Sequence, residues 1–182
     1  MIETAREALW RQFGASIDML ENAMSACPEA LWSDRTRRPE SWYVVYHALF
    51  WLDLYLSGSV EGFAPPAPFT LDELDPAGVV PERAYSQAEL RAYLVHCRTK
   101  CREAIASLTE EASMKRCRLP WGEVSFLELL LDNMRHVQHH AGQLHLVLRE
   151  AIDDSPRWVA RARRGLPGRG RTGDSGVRGG VA

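Results

Sequence analysis

No run of apolar residues in this 182-residue chain approaches the roughly 18 that a membrane-spanning helix needs. Nor does a basic-then-apolar leader open it, since Met1 is followed at once by Ile2-Glu3-Thr4-Ala5-Arg6-Glu7. The expectation is a soluble, cytoplasmic protein with no membrane partner. Cysteine is scarce: four residues (Cys27, Cys97, Cys101, Cys117), no CxxC pair, and therefore neither a zinc ribbon nor a disulfide scaffold. Internal repeats, coiled-coil length and a strand-rich block are missing as well, which leaves a helical domain as the reading. With 46% hydrophobic residues, the chain is long enough to bury one full core.

Helical periodicity dominates what is there. Residues 3–25 carry Leu9, Phe13, Ile17, Leu20 and Met24 on one face, and Pro28 ends that helix. An arginine-rich connection through Leu31-Trp32 and Pro39 leads to Ser41, a candidate N-cap. Residues 42–56 form a second helix with one charged residue, Asp53, and two apolar stripes: Trp42, Val45, Leu49, Leu52 and Leu56 on one side, Tyr43, His47, Phe50 and Leu54 nearly opposite. One stripe must face the core. The other calls for a further helix or a second subunit, so a homodimer with a helix-mediated contact is expected.

The span 57–85, rich in proline and glycine, is a long crossover. Ser86-Gln87-Ala88-Glu89 has the form of a capping box and opens a third helix to about Ser107, with Leu90, Leu94, Cys97, Cys101, Ile105 and Leu108 as its core stripe. Cys97 and Cys101 thus read as reduced core residues, with a thiolate ligand as the other reading. A second capping pattern, Ser125-Phe126-Leu127-Glu128, opens a fourth helix that continues to Glu150 before Asp153-Asp154-Ser155-Pro156. The fold class expected is all-α, a four-helix bundle with a long crossover, over residues 1–156.

The net charge of −2 conceals an asymmetry. From Arg157 onward seven arginines face one acid, Asp174, a surplus of six that leaves −8 for residues 1–156. Residues 157–182 read as a basic, Gly/Arg-rich, disordered tail, because they offer few apolar groups to offset ordering entropy. Such a tail is the only feature that suits nucleic acid; an uncommitted solvated extension is the plainer reading.

Histidine is where the chemistry concentrates. Four of the six histidines fall within His136–His145. The core stripe of the fourth helix is Leu130, Met134, Val137, Ala141, Leu144 and Leu148. At 100° per residue, His140 lies about 60° and His136 about 100° to the same side of Val137, while His139 points near 200° and His145 about 80° the other way. Only His136 and His140 can share an ion. His47, the isolated polar ring on the second helix, is either a hydrogen-bonded core histidine or a third ligand, and three neutral imidazoles around a cation would satisfy one another. Asn133 is placed to orient a ligand ring or a substrate, and Tyr43, one turn before His47, to donate a hydrogen bond into the cleft, although they also suit a polar helix-end position and an aromatic core. No carboxylate stands out as a general base: Asp132 points away from the stripe, and Asp53 lies across the second helix from His47.

The order of Leu31-Trp32, Ser41-Trp42 leading to His47, a crossover, and then His136-x3-His140-x-Gly142-Gln143 resembles the DinB family of metal-binding four-helix proteins, over about residues 1–152. The resemblance implies His47, His136 and His140 as the three ligands of a divalent metal, zinc or nickel before iron, in a cleft between helices, and frequently a homodimer. It also implies a low-molecular-weight thiol as a partner, because some relatives of the wider superfamily are thiol-dependent transferases while others have no known reaction. The basic tail has no counterpart in that pattern.

Two functional readings remain open on the sequence. One is a metal-dependent enzyme that activates a thiol or water for transfer to, or hydrolysis of, a small electrophilic substrate. The other is a noncatalytic, metal-stabilised helical binding or stress-response protein.

Overall fold

The structure, a computed structural model, describes residues 2–166. Four long helices carry the fold: α1 (Ile2–Ala26), α3 (Ser41–Ser57), α4 (Gln87–Ala106) and α6 (Phe126–Ile152). Two short ones, α2 (Glu29–Trp32) and α5 (Glu110–Met114), and a two-stranded hairpin, β1 (Arg116–Leu119) with β2 (Gly122–Ser125), sit in the connections. Helices α1 and α3 each pack on both α4 and α6, so α1 stands diagonally opposite α3 and α4 opposite α6. The bundle is the expected one. Among the described residues no helix is long and apolar enough to cross a membrane.

The predicted stripes form the core. Leu9, Phe13, Ile17, Leu20 and Met24 of α1 are buried, as are Leu90, Leu94, Cys97, Cys101 and Ile105 of α4 and Leu130, Val137, Ala141, Leu144 and Leu148 of α6. Each such large aliphatic or aromatic side chain contributes about 1.5–3 kcal/mol on burial. All four cysteines are free and buried, and burial pushes the Cys97 and Cys101 thiols far above their usual range, so both behave as apolar filler. The Ser86 capping box is complete, whereas Ser125 makes only the half in which its hydroxyl accepts from the Glu128 N–H. Ser41 is not the cap of α3: Glu40 is, its carbonyl accepting from Tyr43 and Val44 N–H, and Ser41 is the first, buried, helical residue. The hairpin and the short helices were not anticipated, because elements of four or five residues carry too few periods to read.

Residues 58–85 do more than connect. The crossover lays Phe63, Phe69 and Tyr85 against Tyr46 and Phe50, with the Phe69 ring also stacked on Tyr93 at 4.3 Å. Of the second apolar stripe of α3, Phe50 is thereby covered within the chain, whereas Tyr43 and His47 stay partly exposed. Gly58, at φ 72°, ends α3 in a left-handed turn where a Cβ would also crowd Cys117 Sγ at 3.2 Å.

A buried polar cluster ties α3 to α4. Asp53, 1% exposed, takes Lys100 Nζ at 2.5 Å and the Tyr93 hydroxyl at 3.1 Å, and Lys100 also donates to the Asp53 carbonyl and Ser57 Oγ.

The tail expected to be disordered from residue 157 departs from that reading over residues 157–166, which pack back onto the bundle. Ala162 N–H donates to the Arg11 carbonyl, Arg163 N–H to Asp18 Oδ2, Trp10 Nε1 to the Arg164 carbonyl and Arg102 to the Gly165 carbonyl. Val159, Ala162 and Leu166 add apolar contact. Gly14 permits the approach, since a Cβ there would lie 2.6 Å from Ala162 Cβ. Counting arginines hid the apolar residues interleaved with them. The rest of that tail, 167–182, lies outside the described residues.

Candidate metal centre

Antiparallel packing of α3 against α6 sets His47 opposite His136 and His140. The three Nε2 atoms converge: His136 Nε2 lies 3.3 Å from His47 Nε2 and 3.0 Å from His140 Nε2. One nitrogen from each ring falls within 4.8 Å of the others, a group that can hold a metal ion. His139 is exposed with its ring beside His140, and it stays out of the cluster. His145 is buried and structural: Nδ1 meets Ser155 Oγ at 2.7 Å, and Nε2 meets the Met19 carbonyl at 3.2 Å.

Hydrogen bonds behind the rings decide where their lone pairs point. His47 Nδ1 lies 2.7 Å from Glu73 Oε2, and the carboxylate can only accept, so Nδ1 carries the proton and Nε2 presents its lone pair inward. His140 Nδ1 lies 2.7 Å from Gln143 Oε1, which fixes the same tautomer. Both lone pairs face His136 Nε2, a single atom that can donate one proton to one of them. Among the described residues His136 Nδ1 is buried and without a hydrogen-bond partner, so nothing there fixes that ring's tautomer. A cation resolves the conflict. Four-coordinate zinc, with Zn–N of about 2.0–2.1 Å, would separate ligand nitrogens by about 3.4 Å, close to the spacings observed.

Glu73 is the functional residue the sequence did not disclose. It comes from the crossover, in the 3-10 turn Asp72–Leu74, and its side chain is 4% exposed. Oε2 accepts from both His47 and Trp51 Nε1, the latter at 3.0 Å. Burial alone would raise the carboxyl, but the hydrogen bonds it accepts from His47 and Trp51 outweigh it and hold Glu73 below its ordinary value. Crossover residues have no periodicity to betray a contact with α3. Trp51, four residues beyond His47, was legible by helical spacing.

The two expected supporting residues fare differently. Tyr43 lies one turn before His47 with its ring centroid 6.2 Å from the imidazole, and burial first, then the neighbouring Glu73 carboxylate, raises its pKa. Asn133 is a correction: fully buried, it donates to the Leu52 carbonyl at 3.1 Å and so braces α6 against the α3 backbone instead of orienting an imidazole.

Replacing Glu73 with Gln keeps the volume but removes the charge that strengthens the His47 donor. Metal affinity is expected to fall about 10–100-fold, the usual cost of losing such a partner, with little change in the melting temperature of the metal-free protein. Competition titration against a chromophoric chelator checks this, and an unchanged affinity would remove Glu73 from the centre.

Burial, followed by the neighbouring imidazoles, pushes His136 down to about 3. Burial likewise takes His140 to about 4, although its bond to Gln143 works the other way. Both are therefore neutral near pH 7 and ready to ligate. An unfolded histidine titrates near 6.5, so the unfolded chain takes up these protons first, and the stability is fully present above about pH 6.5 and drains as pH falls toward 4 and below. The melting temperature of metal-free protein is expected to hold from pH 8 to 7 and decline between about pH 6 and 4, more steeply than in a His136→Leu/His140→Leu double variant. Parallel profiles for the two proteins would refute the assignment.

A family model described as the DinB superfamily matches residues 12–144. Neither the curated proteins nor the solved structures give a match.

Proposed function

From the premise that the chain belongs to the DinB superfamily, we propose that it is a divalent-metal-dependent enzyme, with His47, His136 and His140 as ligands, that promotes attack of a thiol or water on a small electrophilic substrate. The observation that carries the reading is the pair of lone pairs aimed at His136 Nε2, an arrangement that favours a cation over the metal-free state. Three neutral imidazoles suit zinc or nickel, with iron as a further fit. Three protein ligands leave coordination positions open, and a divalent ion so held lowers the pKa of the water or thiol that joins it, supplying a nucleophile near neutral pH.

The residues around the ligands hold and exclude. Glu73 and Gln143 keep protons on the Nδ1 atoms of His47 and His140 and so keep Nε2 free. Among the described residues the Nε2 atoms meet one another and no carboxylate.

Metal analysis of untagged protein, followed by assay of thiol consumption and of hydrolysis with electrophilic substrates, tests the proposal. Stoichiometric metal together with turnover that a chelator abolishes and added metal restores is the expected result. Stoichiometric metal without turnover across both assay types would instead favour a metal that only staples α3 to α6.

A further inference from the structure

Along α3, residues 43, 47, 51 and 55 recur at intervals of four and stack one above another on a single face. They are Tyr43, His47, Trp51 and Tyr55, so the ligand sits within an aromatic strip, with ring centroids 6.2 Å (Tyr43–His47), 6.3 Å (His47–Trp51) and 5.4 Å (Trp51–Tyr55) apart. The strip reaches the other helix too, because the Tyr55 ring lies 6.3 Å from His136.

The strip is extended from outside the bundle. Trp121, at the turn of the β1–β2 hairpin, donates its indole N–H to the Tyr55 hydroxyl at 3.0 Å with the rings edge to face at 6.3 Å. Half of Trp121 is nevertheless exposed. Core packing does not account for a large aromatic side chain anchored by its polar edge while its surface stays open. Most of α3 is buried, yet Tyr43, His47 and Trp51 remain partly exposed on this side.

We propose that Tyr43, Trp51 and Trp121, the last anchored on the buried Tyr55, form the substrate wall of the metal centre and select a planar substrate, an aromatic or conjugated electrophile. The rings offer flat apolar surface on which a conjugated group stacks. This inference rests on the open-site reading of the three histidines. Trp121 and Trp51 are specificity determinants and not metal ligands.

Hydroxamates separate the wall from the metal, since all share the same chelating head. Cobalt(II)-loaded protein is titrated with acetohydroxamate and benzohydroxamate, following the visible spectrum of the metal. Benzohydroxamate is expected to bind about tenfold tighter than acetohydroxamate, as stacking and ring burial supply. Trp121→Ala should erase most of the aromatic preference, and Trp121→Phe should keep it, without change in cobalt affinity. Equal binding of acetohydroxamate and benzohydroxamate overturns the wall and leaves the metal site standing. Cobalt bound with no response to any hydroxamate overturns the open site, and the wall with it.

Discussion

His47→Ala, His136→Ala or His140→Ala is each expected to weaken metal binding by roughly 10²–10³-fold. A complete structural zinc set contributes about 10–16 kcal/mol, so each ligand accounts for roughly 3–4 kcal/mol. His139→Ala is expected to leave affinity unchanged, because that ring is exposed and directed away from the convergence point. His145→Ala should cost stability without costing metal, since it severs the links to Met19 and Ser155. Isothermal titration of chelator-stripped protein with zinc distinguishes these outcomes. Full occupancy in the His47 variant would reduce the centre to the His136/His140 pair on α6 and sink the cross-helix site.

The second large effect lies outside the site. Asp53→Ala leaves Lys100 and the Tyr93 hydroxyl without their shared carboxylate in a buried cluster. The buried Tyr93 hydroxyl loses its acceptor at about 1–3 kcal/mol while Lys100, 31% exposed, can turn to water, and at about 2–4 °C per kcal/mol for a chain of this size the melting temperature should drop by roughly 5 °C. Metal affinity should be unaffected, because Asp53 reaches toward α4 while His47 reaches toward α6. Calorimetry with parallel metal titration tests both halves. A change below about 2 °C would mean that the cluster is dispensable.

These two variants also mark where local pattern suffices and where it fails. Asp53 and His47 are six residues apart, and helical phase alone puts them on different sides of α3. The same arithmetic separated His136 and His140 from His139 and His145 on α6. What it could not supply is the chemistry between distant segments. Asn133 was expected to support a ring and instead bonds the Leu52 carbonyl.

The four long helices, their core stripes and the three-histidine set were determined by the sequence itself, because helix periodicity is a local property and the resemblance spans most of the chain. Tertiary structure alone decided the rest. Glu73 reaches His47 across 26 residues, from within the aperiodic crossover, Trp121 reaches Tyr55 across 66, and Ala162 closes on Gly14 from the opposite end of the chain. Such contacts depend on how loops without a repeating pattern settle on helices already packed, so no spacing rule within the sequence encodes them. The covering of α3 by Phe63, Phe69 and Tyr85 is of the same kind: the apolar stripe demanded a cover, and only the folded chain showed that its own crossover provides it at Phe50.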